Sequence, residues 1–98
     1  MKIKTVIYKR IPAKEKALGI AYNDRINDPK KKVGTIEVEI RQSPLNILDV
    51  ETHEFLHCHY PEMPEESVRK MATRIAKFLW KLKYRKHGVR TRSKRATA

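Results

Sequence analysis

The strongest constraint on this chain is a change of period between residues 35 and 58. Thr35-Ile36-Glu37-Val38-Glu39-Ile40 alternates strictly. Ile36, Val38 and Ile40 share one face, and Thr35, Glu37 and Glu39 share the other, the pattern of a strand with one face on a core and one in water. Ser43-Pro44 then announces a helix, with Ser as N-cap and Pro at the first helical position. The helical pattern runs to about Cys58. Tyr60-Pro61 stops it, because proline disfavours helix at the residue before it.

The flanking segments extend that reading. Residues 3–8 and 18–22 are two more short strands, rich in β-branched and aromatic residues. Asn23-Asp24 and Asn27-Asp28-Pro29 mark turns, and Lys30-Lys31-Lys32 is a solvated run. A second helix begins near Pro64, with Glu65 and Glu66 complementing its dipole. Val68, Met71, Ala72, Ile75, Leu79 and Leu82 form its apolar stripe. It should run to about Tyr84, before His87-Gly88. The expected fold class is α+β: a small three-stranded, mostly antiparallel sheet followed by two packed helices. Residues 1–85 form one minimal domain, and residues 86–98 a disordered basic tail.

Charge divides the chain the same way. Of the 98 residues, 23 are Lys or Arg and 11 are Asp or Glu, for a formal charge of +12. Every acid lies at or before Glu66, and residues 1–66 hold 11 bases, so that part is neutral. The remaining 12 bases follow it without an acid. A uniformly basic coat is excluded; a neutral body with a basic helix and tail fits. Such a run suits nucleic acid or an acidic partner, and the residues that would carry it are Lys70, Arg74, Lys77, Lys81, Arg85, Lys86, Arg90 and Arg92. One cysteine, Cys58, excludes an internal disulfide and suits a reducing compartment. No apolar run approaches a membrane span, and residues 1–8 are recharged too quickly for a secretory signal. The expectation is a soluble, cytoplasmic monomer or small homo-oligomer with no membrane partner.

The chemistry sits in Glu51-Thr52-His53-Glu54-Phe55-Leu56-His57. His53 and His57 are four residues apart, hence one turn apart on one helix face, where two imidazoles can hold one Zn²⁺. Glu54 is rotated to the side of the metal and is placed as general base for zinc-activated water. A catalytic zinc needs a third protein ligand. Candidates are Glu65, Glu66, Glu62, His59 and Cys58. At about 100° per residue, Glu65 falls about 80° from the centre of the second helix's stripe and Glu66 near its solvent side. Glu65 is therefore favoured and Glu66 is the alternative. Cys58 reads as a small buried residue, and Trp80 and Phe78 as core or dimer contacts. A strand preceding such a helix could align an extended peptide by backbone pairing, with Thr35, Glu37 and Glu39 as the substrate-side residues.

These residues carry a resemblance. Residues 51–58, then Tyr60-Pro61, Glu65-Glu66-Ser67-Val68 and residues 75–82 are similar to short zinc metallopeptidases of the gluzincin type. Such proteins are frequent in bacteriophage and bacterial genomes. The resemblance covers roughly residues 36–85. It implies a minimal zincin-like fold, His53 and His57 as ligands, Glu54 as general base and one glutamate of the Glu65-Glu66 pair as third ligand. It settles no substrate; the motif itself points to Zn²⁺ as cofactor, and the strand before it to a peptide or protein as substrate. The basic second helix and tail depart from that pattern. They leave a reading of a different class: a nucleic-acid-binding or adaptor protein in which zinc only staples the helices.

Overall fold

A computed structural model describes residues 3–23 and 33–85. Strands β1 (Thr5–Lys9), β2 (Gly19–Tyr22) and β3 (Thr35–Glu39) are followed by helices α1 (Pro44–His59) and α2 (Glu65–Lys81). A short 3₁₀ turn, Ala13–Glu15, lies between β1 and β2. The α+β class and the strand and helix order are those expected.

The sheet is mixed rather than mostly antiparallel. Its order is β1-β3-β2. β1 runs parallel to β3, with Thr5 opposite Thr35, and β2 runs antiparallel to it, with Tyr22 opposite Thr35. The segment between β1 and β2 carries the chain past a gap one strand wide, and β3 fills that gap. A parallel pair needs such a long crossover, which here contains β2 itself.

That placement overturns the expectation that the polar face of β3 meets water. All five of its residues are buried. Ile36 and Val38 pack with Ala21, Ile47 and Cys58 under α1, with Ile3, Tyr8 and Val50 against them. On the other face, Glu37 meets the Tyr22 hydroxyl at 3.4 Å and the Lys9 ammonium at 3.8 Å. Glu39 accepts hydrogen bonds from Ile11 N (2.7 Å), Arg41 N (2.8 Å), Arg41 Nε (2.7 Å) and Arg41 Nη2 (2.8 Å). These carboxylates are satisfied by local donors, as buried acids must be. Ile40, expected in the strand, lies outside it and is 45% exposed.

The helices begin where their sequences say. Ser43 Oγ accepts from Asn46 N at 3.2 Å, and Pro44 is the first helical residue. α1 reaches His59, and Tyr60 N still donates to Leu56 O at 2.7 Å. α2 stops at Lys81 rather than near Tyr84. Lys83 N donates to Trp80 O and Tyr84 N to Leu79 O, and Lys83 has φ of 69°, so a Schellman-type closure forms on a non-glycine residue. Leu56, Val68 and Ala72, with Met63, form the seam between the helices. Of the apolar stripe expected to pack on α1, Val68 and Ala72 do so, while Met71 and Leu82 stay exposed. The Tyr8 hydroxyl donates to Glu51, tying β1 to α1, and burial together with that carboxylate raises the tyrosine's pKa.

Candidate metal centre

Three side chains converge where α1 meets the start of α2. His53 and His57 stand one helical turn apart, their Nε2 atoms 3.1 Å from each other. Glu65 is the first residue of α2, and its carboxylate spans both rings: Oε2 lies 3.1 Å from His53 Nε2, and Oε1 lies 2.9 Å from His57 Nε2. One ligand atom from each residue fits within 4.8 Å of the others. A tetrahedral ion at about 2.0–2.1 Å from its ligands separates them by about 3.3 Å. The Nε2–Nε2 separation and the nearest Nε2–O separations are a few tenths of an ångström short of that spacing, and two imidazoles with a carboxylate are a donor set that divalent transition ions, zinc among them, accept. Burial lowers the pKa of His53 despite the opposing Glu65 charge, which favours the neutral imidazole that ligation requires.

Three contacts hold this seam in place. Asn23, just after β2, donates from Nδ2 to His57 O at 2.8 Å. One turn before His53, Asp49 Oδ2 accepts from Thr73 Oγ1 at 2.9 Å, clamping α2 to α1. Gly19 brings β2 directly onto α1. A Cβ there would meet Val50 Cγ1 at 2.5 Å and Glu54 Cγ at 2.9 Å, so no larger residue fits without movement. None of these three was expected at the site from sequence, where Asn23 read only as part of a turn. Only Gly19 carried a signal, because a lone glycine inside an apolar strand marks close backbone approach.

Glu54 lies against that glycine and is 8% exposed. Burial, and then the negative charge of Glu65, pushes its pKa up to about 7. Two clefts meet at this point. One, of about 360 Å³, is lined by β2 residues, Asn23 and the His53, His57 and Glu65 triad. The other, of about 470 Å³, runs toward Asn46, Asp49, Arg69 and Thr73. Gly19, His53 and Glu54 line both.

The other expected site residues lie elsewhere. Glu66 turns outward to Arg69 and, at 3.5 Å, to Lys70. His59 stacks on Phe55 with ring centroids 4.3 Å apart. Cys58 is buried in the sheet-side core, where burial raises its thiol pKa. Glu62 is exposed. Thr35, Glu37 and Glu39 do not join the centre. β3 is the middle strand, with both backbone edges occupied by β1 and β2, so it has no free edge for a peptide. The free edge beside the centre belongs to β2. Lys70, Arg74, Lys77 and Lys81 are exposed along α2. The Arg85 guanidinium sits 3.4 Å over the Trp80 ring. Lys86, Arg90, Arg92 and the rest of the expected tail lie outside the described residues. Among the described residues no helix is long and apolar enough to cross a membrane.

Comparison of the chain with protein-family models, with curated proteins and with solved structures gives no match.

Proposed function

We propose that the protein is a zinc-dependent hydrolase of the metallopeptidase kind. The observation that supports this most is the Glu65 carboxylate reaching both His53 Nε2 and His57 Nε2 from a separate helix. His53, His57 and Glu65 would hold the ion, which when bound supplies Lewis acidity toward a carbonyl and lowers the pKa of water. Glu54 is adjacent in sequence to His53, buried beside the centre, and is the group that would take the proton from water. Gly19 packs against one side of that side chain, and the two clefts open on the other.

Substrate alignment passes from β3 to β2. Gly19, Ile20 and Ala21 line the cleft that holds the triad, and β2 is an edge strand. An extended peptide paired to that edge would run along both clefts, with its scissile bond near Glu54. A buried, lone cysteine suits a reducing compartment, and we place the activity in the cytoplasm.

The test is a hydrolysis assay on zinc-loaded protein with a mixture of unstructured peptides. The wild type should cleave; Glu54→Gln should keep its zinc and lose cleavage. Cleavage that survives Glu54→Gln would reject the general base.

A second reading keeps the same zinc as a staple between α1 and α2 in a nucleic-acid-binding protein. The exposed row Lys70, Arg74, Lys77 and Lys81 supports it. Binding should then fall steeply with added salt, and a flat salt response would reject it.

A further inference from the structure

α2 shows a different face away from the metal centre. Toward α1 it buries only small or β-branched residues, Val68, Ala72 and Ala76. Large apolar side chains along it and at its C-cap point elsewhere: Met71 is 41% exposed, Phe78 60% and the C-cap Leu82 52%. With the half-buried Ile75 these residues step by four, three and four, the spacing of a helix-pairing seam. At about 100° per residue the four fall within an arc of about 60°. Lys70, Arg74, Lys77 and Lys81 occupy a second arc of about 60°, directly beside the first. No acid follows Glu66 on this helix, and Arg74, Lys77 and Lys81 form no ion pair among the described residues. An apolar stripe left bare on a surface marks an interaction site.

The charges select the occupant. The same helix of a second copy carries no acid after Glu66 to pair with the basic row. A nucleic acid would satisfy the cations but leave Met71, Phe78 and Leu82 in water. A helix with an apolar seam and acidic flanks satisfies both arcs at once. We propose that the outward face of α2 docks an acidic amphipathic helix of another protein, with Met71, Ile75, Phe78 and Leu82 as anchors and Lys70, Arg74, Lys77 and Lys81 as its charge partners. The metal centre takes no part in this contact, so the inference stands apart from the hydrolase reading.

The probe is a labelled helical peptide of about three heptads, with Leu at a and d and Glu at e and g, titrated into the full-length chain. The expected result is saturable binding that weakens with salt. The Phe78→Ala/Leu82→Ala double variant should weaken it at least about 10-fold, the loss expected from removing two buried anchors. Lys77→Glu/Lys81→Glu should do the same, and it changes only exposed residues, so it serves even if the apolar variant misfolds. A control peptide of equal charge with Ser at a and d should bind at least about 10-fold more weakly, since two or more buried leucines are missing. Equal binding of that control would overturn the proposal. A duplex DNA that binds more tightly than the Leu/Glu peptide and is unaffected by Phe78→Ala would overturn it in favour of nucleic acid. A dimer in sedimentation that Phe78→Ala dissociates would overturn it in favour of self-association.

Discussion

Glu39 and Glu54 are both buried glutamates in one small protein, and their surroundings give them opposite characters. Glu39, on the outer face of the sheet, receives the Arg41 guanidinium and two backbone N–H groups. Those donors, Arg41 first, hold its pKa down at about 2 despite burial. Glu54, between β2 and α1, is pushed up to about 7 by burial and by the charge of Glu65. Burial alone therefore does not say what a carboxylate is for. Donors on every side make Glu39 a tie between the end of β1 and the turn into α1. Burial without such donors leaves Glu54 with a raised pKa, as the proposed general base would need.

Substitutions can break that contrast. The largest effect expected is on hydrolysis by zinc-loaded protein, which Glu54→Gln should lower by about 10²–10⁴-fold, the range a general base supplies. Glu39→Gln should leave the rate per folded molecule unchanged. Similar losses from both would erase the distinction.

Gly19→Ala comes next. Its new Cβ would press on Val50 and on Glu54. A loss of about 1–3 kcal/mol in urea denaturation is the overpacking range. An unchanged midpoint would mean that β2 can move off α1 without cost.

The third effect follows pH. Glu39 has its folded pKa below the ordinary 4.5, so its contribution to stability is full above about pH 4.5 and is lost as pH falls toward about 2. Glu39→Gln should lower the thermal midpoint at pH 7, and the gap to wild type should close by about pH 2. In chelated protein at pH 7, Glu54→Gln should not lower the midpoint, because a carboxylate whose pKa burial raises is itself a cost when charged. A gap for Glu39→Gln that stays constant with pH would contradict the assigned tie. Ser43→Ala should be the smallest, about 1 kcal/mol from the lost α1 cap, with no effect on metal.

What could be read from sequence follows from what each signal encodes. The start of α1 and the pairing of His53 with His57 were legible because capping and helical spacing are local. Glu65 was legible because the angle of α2's stripe separates it from Glu66. Strand order was not, since alternation tells which face a residue takes and not which strand lies beside it. The middle position of β3 therefore hid both the burial of Glu37 and Glu39 and the free edge beside the centre, that of β2. The end of α2 escaped because Lys83 takes the left-handed position usually given to glycine. The bare seam of Met71, Phe78 and Leu82 escaped because periodicity marks an apolar stripe without saying how much of it a small partner helix can cover.

In the proposed site it is Glu65, and not its neighbour, that completes zinc ligation with His53 and His57. Competitive zinc titration against a chromophoric chelator tests it on wild type, Glu65→Gln and Glu66→Gln. The expected result is about one zinc per wild-type chain, an affinity at least about 10-fold weaker in Glu65→Gln, and no change in Glu66→Gln, whose carboxylate faces Arg69 and Lys70. A wild type that binds no zinc, or a Glu65→Gln variant that binds it as tightly as wild type, would contradict that ligand set.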